Sequence, residues 1–191
     1  MASDVDRREL LDAASAIVAH EGISALSVRR VAKEVGASTM VVYTHFGDKS
    51  GLVEAVAAEG FRRFAATLAE VHRDDPFEHL METGRAYRRY AQANPSYYRL
   101  LFSRVRPPDG GFAEAKRHGE VAYAILLEGV TRVLARLDRP AREVEAAAVQ
   151  VWSTVHGFVS LELSHELPPD RADALYEATL AFVLRGLGKR D

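Results

Sequence analysis

The segment Ser27-Val28-Arg29-Arg30-Val31-Ala32-Lys33-Glu34-Val35-Gly36-Ala37-Ser38-Thr39-Met40-Val41-Val42-Tyr43-Thr44-His45-Phe46 constrains the fold of this chain more than any other. Val31 and Val35 stand one helical turn apart, as do Val42 and Phe46, so two short helices each carry an inward apolar stripe and an outward polar face. Gly36 stands where the first helix must end, because a left-handed backbone costs least without a β-carbon. Ser27 enters the first helix, and Ser38 is placed to cap the second through its side-chain oxygen. Ala32 is small enough for a close crossing. The pattern is a helix-turn-helix. Its second helix leaves Thr39, Met40, Tyr43 and Thr44 exposed, where a recognition helix meets the base edges and phosphates of a DNA major groove.

Positive charge flanks that helix at Arg29, Arg30, Lys33 and Lys49, with one of the two adjacent arginines expected to face DNA. The Tyr43 hydroxyl is expected to point outward to a phosphate. For His45, hinge packing and phosphate contact both remain open. Ser27, Arg29, Ser38, Thr39, Met40, Tyr43, Thr44, His45 and Lys49 therefore form the candidate DNA-binding set. The formal net charge of the whole chain is −2, and the basic residues of the first fifty positions are matched by a comparable number of acids. Affinity for DNA must come from local placement of charge rather than from its total.

Residues 7 to about 60 resemble the DNA-binding domain of the TetR (tetracycline-repressor-like) family of bacterial transcriptional regulators. The resemblance rests on Leu10, Leu11, Ala14, Ile17 and Val18 along a first helix, the Glu21-Gly22 break, and the entry Leu26-Ser27-Val28-Arg29. It extends through Tyr43-Thr44-His45-Phe46 and Asp48-Lys49-Ser50. The family pattern usually has Gly or Pro near Met40 and an aromatic residue at Thr44. Those departures bear on which bases are read.

Composition narrows the remaining classes. The chain has 191 residues, 48% of them hydrophobic, which is ample for a core of one domain or of a small and a larger one. It has no cysteine, which excludes disulfides, thiolate metal sites and cysteine nucleophiles. No run approaches the ~18 apolar residues of a membrane span, and no signal-peptide stretch opens the chain. A soluble, cytoplasmic protein with no membrane partner is the expectation.

Beyond the first fifty residues, apolar positions recur at spacings of three and four, and no alternating strand pattern persists. Asp48 is expected to cap a long helix bearing Leu52, Val53, Val56, Ala57, Phe61, Phe64 and Leu68 and ending near Arg73. Further helices are expected over Phe77 to Ala93, Ser96 to Ser103, Phe112 to Leu137, Arg142 to Ser164 and Asp170 to Leu187. Asn94-Pro95 and Leu167-Pro168-Pro169 mark breaks, and Arg106-Pro107-Pro108-Asp109-Gly110-Gly111 reads as a loop. The predicted fold class is all-α. A three-helix DNA-binding domain with the helix-turn-helix occupies residues 1–50, and a helical ligand-binding and dimerisation domain occupies 51–191.

The last two helices carry more apolar surface than one core face needs. Val144, Ala148, Val151 and Val155 form one stripe, and Trp152, Val159 and Leu163 a second. On the final helix Leu175, Leu180, Ala181, Phe182, Val183 and Leu184 nearly encircle the axis. Helices apolar on two faces need two partners, and a four-helix interface between two copies supplies them. The family resemblance implies the same homodimer, through the last two long helices. Two recognition helices about 34–36 Å apart then match a palindromic double-stranded operator.

Trp152-Ser153-Thr154-Val155-His156-Gly157 resembles the Trp-x-x-x-His-Gly signature of one subgroup of that family, and Asn94 to Phe102 resembles the segment that precedes it. Phe61, Phe64, Tyr87, Tyr90, Tyr97, Phe102, Trp152 and His156 are the candidate ligand-binding residues, a largely apolar set with a few polar groups suited to a small-molecule effector. The alternative for Trp152 and His156 is a packed core with a satisfied hydrogen bond, the commoner role of such a pair on a buried helix. The arginines between Arg85 and Arg106 would select an anionic effector or form a solvated helix face.

A helical metal-dependent enzyme of the di-iron bundle type is the rival reading. Glu162-Leu163-Ser164-His165 has the Glu-x-x-His spacing, but such sites need two copies and the chain has one. There is no His-Glu-x-x-His pair and no glycine-rich phosphate loop, so no catalytic residue, metal or cofactor is expected. A helical adaptor that binds only protein leaves the outward polar helix unexplained. The expected function is that of a sequence-specific DNA-binding transcriptional regulator, a homodimeric repressor released from its operator by a small molecule.

Overall fold

The computed structural model describes residues 5–102 and 112–188, and among these there is no β-strand. The helices are α1 (Arg7–Glu21), α2 (Val28–Glu34), α3 (Thr39–Phe46), α4 (Lys49–Ala69), α5 (Pro76–Ala93), α6 (Pro95–Phe102), α7 (Ala113–Arg136), α8 (Val144–Leu163) and α9 (Ala172–Gly188). Single 3₁₀ turns at Ile23–Ala25 and Ala141–Glu143 lead into α2 and α8. The expected loop at Arg106 to Gly111 lies outside the described residues.

Contacts gather the chain into two compact units. The first holds the described residues up to Arg63 together with those of Asn94–Glu120; the second holds Phe64–Ala93 and the described residues from Val121 onward. A division at residue 50, expected from the sequence, would fall at the second residue of α4, which runs unbroken to Ala69 and contributes to both units. The reason is the early part of α4. Leu52, Val53, Ala55, Val56, Ala57 and Ala58 are all buried in the same core as Leu10, Ile17, Val31, Val42 and Phe46. A helix buried on this much of its circumference is part of the core it fills.

In the first unit the local signals act as the sequence suggests. Asp6 caps α1 by accepting from the Glu9 amide at 2.8 Å, and Ser27 caps α2 by accepting from the Arg30 amide at 3.1 Å. Gly36 has φ +68°, and the chain closes behind α2 through the bond from the Ala37 amide to the Ala32 carbonyl at 2.9 Å. Asp48 holds the start of α4 through the Gly51 amide at 2.9 Å. One expectation is corrected: Ser38 sits at the N-cap of α3, but its hydroxyl makes no capping bond. The Val41 amide is instead satisfied by the Ser38 carbonyl at 3.1 Å.

The second unit has its own core of Leu80, Val130, Val133, Leu134, Ala147, Ala148, Val151 and Leu187. Helix α4 ends at Ala69 rather than near Arg73, because its apolar pattern stops at Leu68 and Val71 is buried by a turn instead. Gly84 lets α9 come close to α5. A β-carbon there would lie 2.7 Å from Leu180 Cδ2, and the Tyr176 hydroxyl donates to the Gly84 carbonyl at 2.5 Å.

Candidate functional site

The turn between α2 and α3 positions the proposed reading surface. Val42 and Phe46 of α3 are buried with Val31 and Ala32 of α2, and this burial fixes which side of α3 faces out. Ser38, Thr39, Met40, Tyr43 and Thr44 are all exposed, Met40 to 69%. The Thr44 hydroxyl is already used: it donates to the Met40 carbonyl at 2.9 Å. His45 is half-buried, its ring tilted against that of Phe46 at 6.4 Å.

The two adjacent arginines separate cleanly. Arg30 donates to Glu34 and, at 2.9 Å, to Glu21, and these hydrogen bonds raise its pKa. Arg29 is exposed and forms no ion pair with any described residue. Lys33 is exposed in the last turn of α2, and Lys49 is exposed as the first residue of α4. Of the four flanking cations, Arg29, Lys33 and Lys49 are thus exposed, and only Arg30 is held in an ion pair among the described residues. Ser27 is half-buried and occupied as the α2 cap.

The eight candidate ligand residues fall into two sets. Phe61, Tyr97 and Phe102 belong to the first unit, where the Phe61 and Phe102 rings meet edge-on at 6.0 Å. There Gly60 gives Tyr97 its place: a β-carbon on Gly60 would come within 2.7 Å of the ring. Phe64, Tyr87, Tyr90, Trp152 and His156 belong to the second unit and form a continuous chain of rings. Phe64 packs at 5.1 Å on both Tyr87 and Tyr90, and the Tyr87 hydroxyl is 2.9 Å from His156 Nδ1. The Trp152 ring is 6.1 Å from that of His156. Burial pushes the His156 pKa down, which favours the neutral imidazole, and Nδ1 is then hydrogen-bonded to the Tyr87 hydroxyl with the donor set by the ring tautomer.

Trp152 is 39% exposed, so it is not a core residue; its edge contact is with Tyr123 at 5.9 Å. The second apolar stripe expected on α8 thus divides along its length, since Val159 is fully buried. Val149 and Phe182 are also exposed, at 44% and 69%.

The three arginines of the basic run that lie on α5 are paired with acids in place. Arg85 binds Glu177 and Glu82, Arg89 binds Glu82, and Arg88 binds Glu162 and Asp173. These cations are committed to partners on their own helix or on α8 and α9, which removes the argument that they select an anionic effector; Arg104 and Arg106 lie outside the described residues. These partners stand up to 92 positions away in the chain, beyond the reach of any local sequence pattern. The same bridges bear on the di-iron reading. Glu162 accepts from Arg88 at 2.9 and 2.5 Å, and His165 lies beyond the end of α8 with φ +59°. The Glu-x-x-His pair does not share a helical face. Among the described residues no cluster of His, Cys, Asp or Glu is suited to a metal ion.

A capped helix-turn-helix with an exposed second helix and free flanking cations, in a chain that continues into a separate helical unit, defines a DNA-binding regulator. Residues 10–56 match the model for bacterial regulatory proteins of the tetR family, and residues 80–183 match that for the tetracyclin repressor-like C-terminal domain. The chain belongs to the tetR family of bacterial transcriptional regulators. An uncharacterized HTH-type transcriptional regulator of Mycobacterium tuberculosis is 24% identical over 194 residues, spanning 97% of this chain and 83% of that one. An HTH-type nicotine-responsive transcriptional repressor of Paenarthrobacter nicotinovorans is 36% identical over 70 residues, 36% of each chain. A solved structure of a protein of unknown function from Rhodococcus sp. RHA1 matches with a TM-score of 0.85 at 25% identity, covering 96% of this chain and 95% of that one.

Proposed function

We propose that this regulator is a homodimeric repressor that binds a palindromic operator through α3 and is released by a small-molecule effector bound in its second unit. The observation that carries the reading is the outward face of α3, where Ser38, Thr39, Met40, Tyr43 and Thr44 are exposed while Val42 and Phe46 anchor the helix. Arg29 and Lys49 supply phosphate contacts from either side. Ser27 and His45 help to hold the surface, the first as a cap and the second against Phe46. A protein that reads DNA acts where the chromosome is, in the cytoplasm; among the described residues no helix is long and apolar enough to cross a membrane.

Phosphate contacts have a measurable signature. Lys49→Ala is expected to weaken binding similarly on specific and random DNA and to lower the salt slope by ~0.9 per contact in each subunit. Tyr43→Phe should weaken both without altering the slope. Fluorescence anisotropy across a salt series reads both effects, and an unchanged slope for Lys49→Ala removes that residue from the interface.

For the effector, Phe64, Tyr87, Tyr90 and His156 offer aromatic faces with a polar Tyr87–His156 pair at one end, the lining expected for a largely apolar ligand. Trp152-x-x-x-His156-Gly157 keeps its likeness to the subgroup signature, with Trp152 beside the pair as the only tryptophan of the chain. Because α4 contributes residues to both units, a ligand that binds two arrangements of α4 with different affinity would couple effector to operator. An effector from a screened small-molecule set should change the Trp152 emission at the concentrations that release operator, and His156→Ala should alter this response at nearly unchanged operator affinity. A normal response in folded His156→Ala makes the cluster packing alone.

The buried histidines set a pH dependence. Burial lowers the pKa of His156, and burial reinforced by Arg132 lowers that of His79, which is only 9% exposed with Nδ1 unpartnered among the described residues. Below the unfolded value of about 6.5 the unfolded chain binds protons that the folded one does not, so stability present above that pH is lost as the pH falls through it. Melting between pH 7.5 and 5.5 is expected to show a falling midpoint, with a smaller fall in His79→Gln. An equal fall in both proteins assigns the loss to other groups.

A further inference from the structure

We propose that α3 recognises thymine through its 5-methyl group, with Met40 and the γ-methyl of Thr44 as the specificity-determining contacts. The inference rests on the DNA-binding reading above and specifies what the helix distinguishes. Helix α3 reads Thr-Met-Val-Val-Tyr-Thr-His-Phe and contains no Arg, Lys, Asn, Gln, Asp or Glu. It therefore lacks every side chain that pairs bidentately with guanine or adenine and every carboxylate that accepts from cytosine.

What the helix exposes in their place is apolar. Met40 and Thr44 are one turn apart on the same face, and both are exposed. The Thr44 hydroxyl spends its only proton on the Met40 carbonyl at 2.9 Å, which leaves its γ-methyl as the branch not turned back onto the helix backbone. A thioether next to a methyl group has one complement on a major-groove edge, the C5-methyl of thymine. The hydroxyl of Thr39 can serve several bases, and that of Tyr43 is assigned to a phosphate, so neither alters this preference.

The test begins with the full-length dimer selecting from a randomised duplex library. The selected duplexes are then rebuilt with deoxyuridine in place of thymine, one position at a time, which removes the methyl and keeps every hydrogen-bonding group. At a contacted thymine the loss should be about fourfold per methyl, and about 15-fold when both half-sites are changed. Thr44→Ser keeps the hydroxyl and its bond to Met40 while deleting only the methyl; it should bind thymine and deoxyuridine duplexes alike at one position, and Met40→Ala should do so at another. Equal binding of the two duplexes by the unaltered protein, or selected half-sites dominated by G·C pairs, overturns the inference while leaving DNA binding intact. Failure to select any sequence overturns the DNA-binding reading itself and the inference with it.

Discussion

Phe182→Glu is expected to leave the protein monomeric and to lower its affinity for a two-half-site operator by about a hundredfold or more. Phe182 lies on α9 and is 69% exposed, the most exposed large apolar side chain of the second unit, so its replacement removes little packing within its own chain. Leu184, by contrast, packs against the second core, and a charge there would unsettle the fold as well as any interface. If α8 and α9 of two copies meet, a carboxylate at 182 is stripped of water without a partner, a cost that outweighs ordinary contact gains. A monomer then presents one recognition helix, and the gain from linking two half-sites is lost. Sedimentation equilibrium and operator titration on the same sample read both effects. A dimer that survives the substitution moves the interface away from this face.

The second large effect is on stability. Arg88 and Glu162 are side chains with 11% and 15% exposure, joined by two hydrogen bonds, with Asp173 at 2.8 Å and the Tyr176 ring 4.9 Å from the guanidinium carbon. Hydrogen bonding to Glu162 raises the Arg88 pKa, so the arginine stays charged throughout the stable range of the protein. Arg88→Met leaves Glu162 nearly buried with Gln92 as its remaining side-chain donor among the described residues, at 3.2 Å, a loss of about 2–3 kcal/mol after allowing for partial exposure. The melting midpoint should drop by about 5–10 °C. Adding Glu162→Leu should restore much of it, because the cost lies in the stranded carboxylate rather than in the missing pair. Additive losses in the double variant would show that the bridge contributes by packing instead.

The parts of the fold legible in the sequence were those written in short range. Ser27, Gly36 and Asp48 act within four residues of themselves, and their caps and turn stand where the residue types place them. Ser38 shows the limit of that reasoning. The right residue at the right position leaves its hydroxyl unused, because a neighbouring carbonyl satisfies the amide it would have capped. Periodicity identified the helices of the second unit but not which of their faces its own chain covers; Val159 and Trp152 share a stripe, yet one is buried and the other is not. The arginine run looked unbalanced because its acids are distant in sequence, and only the packing of α5 on α8 and α9 brings Glu162, Asp173 and Glu177 to it. The candidate ligand residues were read as one group for the same reason. Aromatic spacing carries no information about which core each ring joins, and the rings divide between two units.

The central claim is that the face of α3 reads a palindromic operator as a pair. Footprinting of the full-length protein on the DNA flanking its own gene tests it most directly. The account predicts protection of two inverted half-sites on one face of the duplex, about one helical turn or a multiple of it apart, at concentrations well below those that coat random DNA. Protection that is absent at low salt, or that covers unrelated sequence at the same concentration, would contradict it.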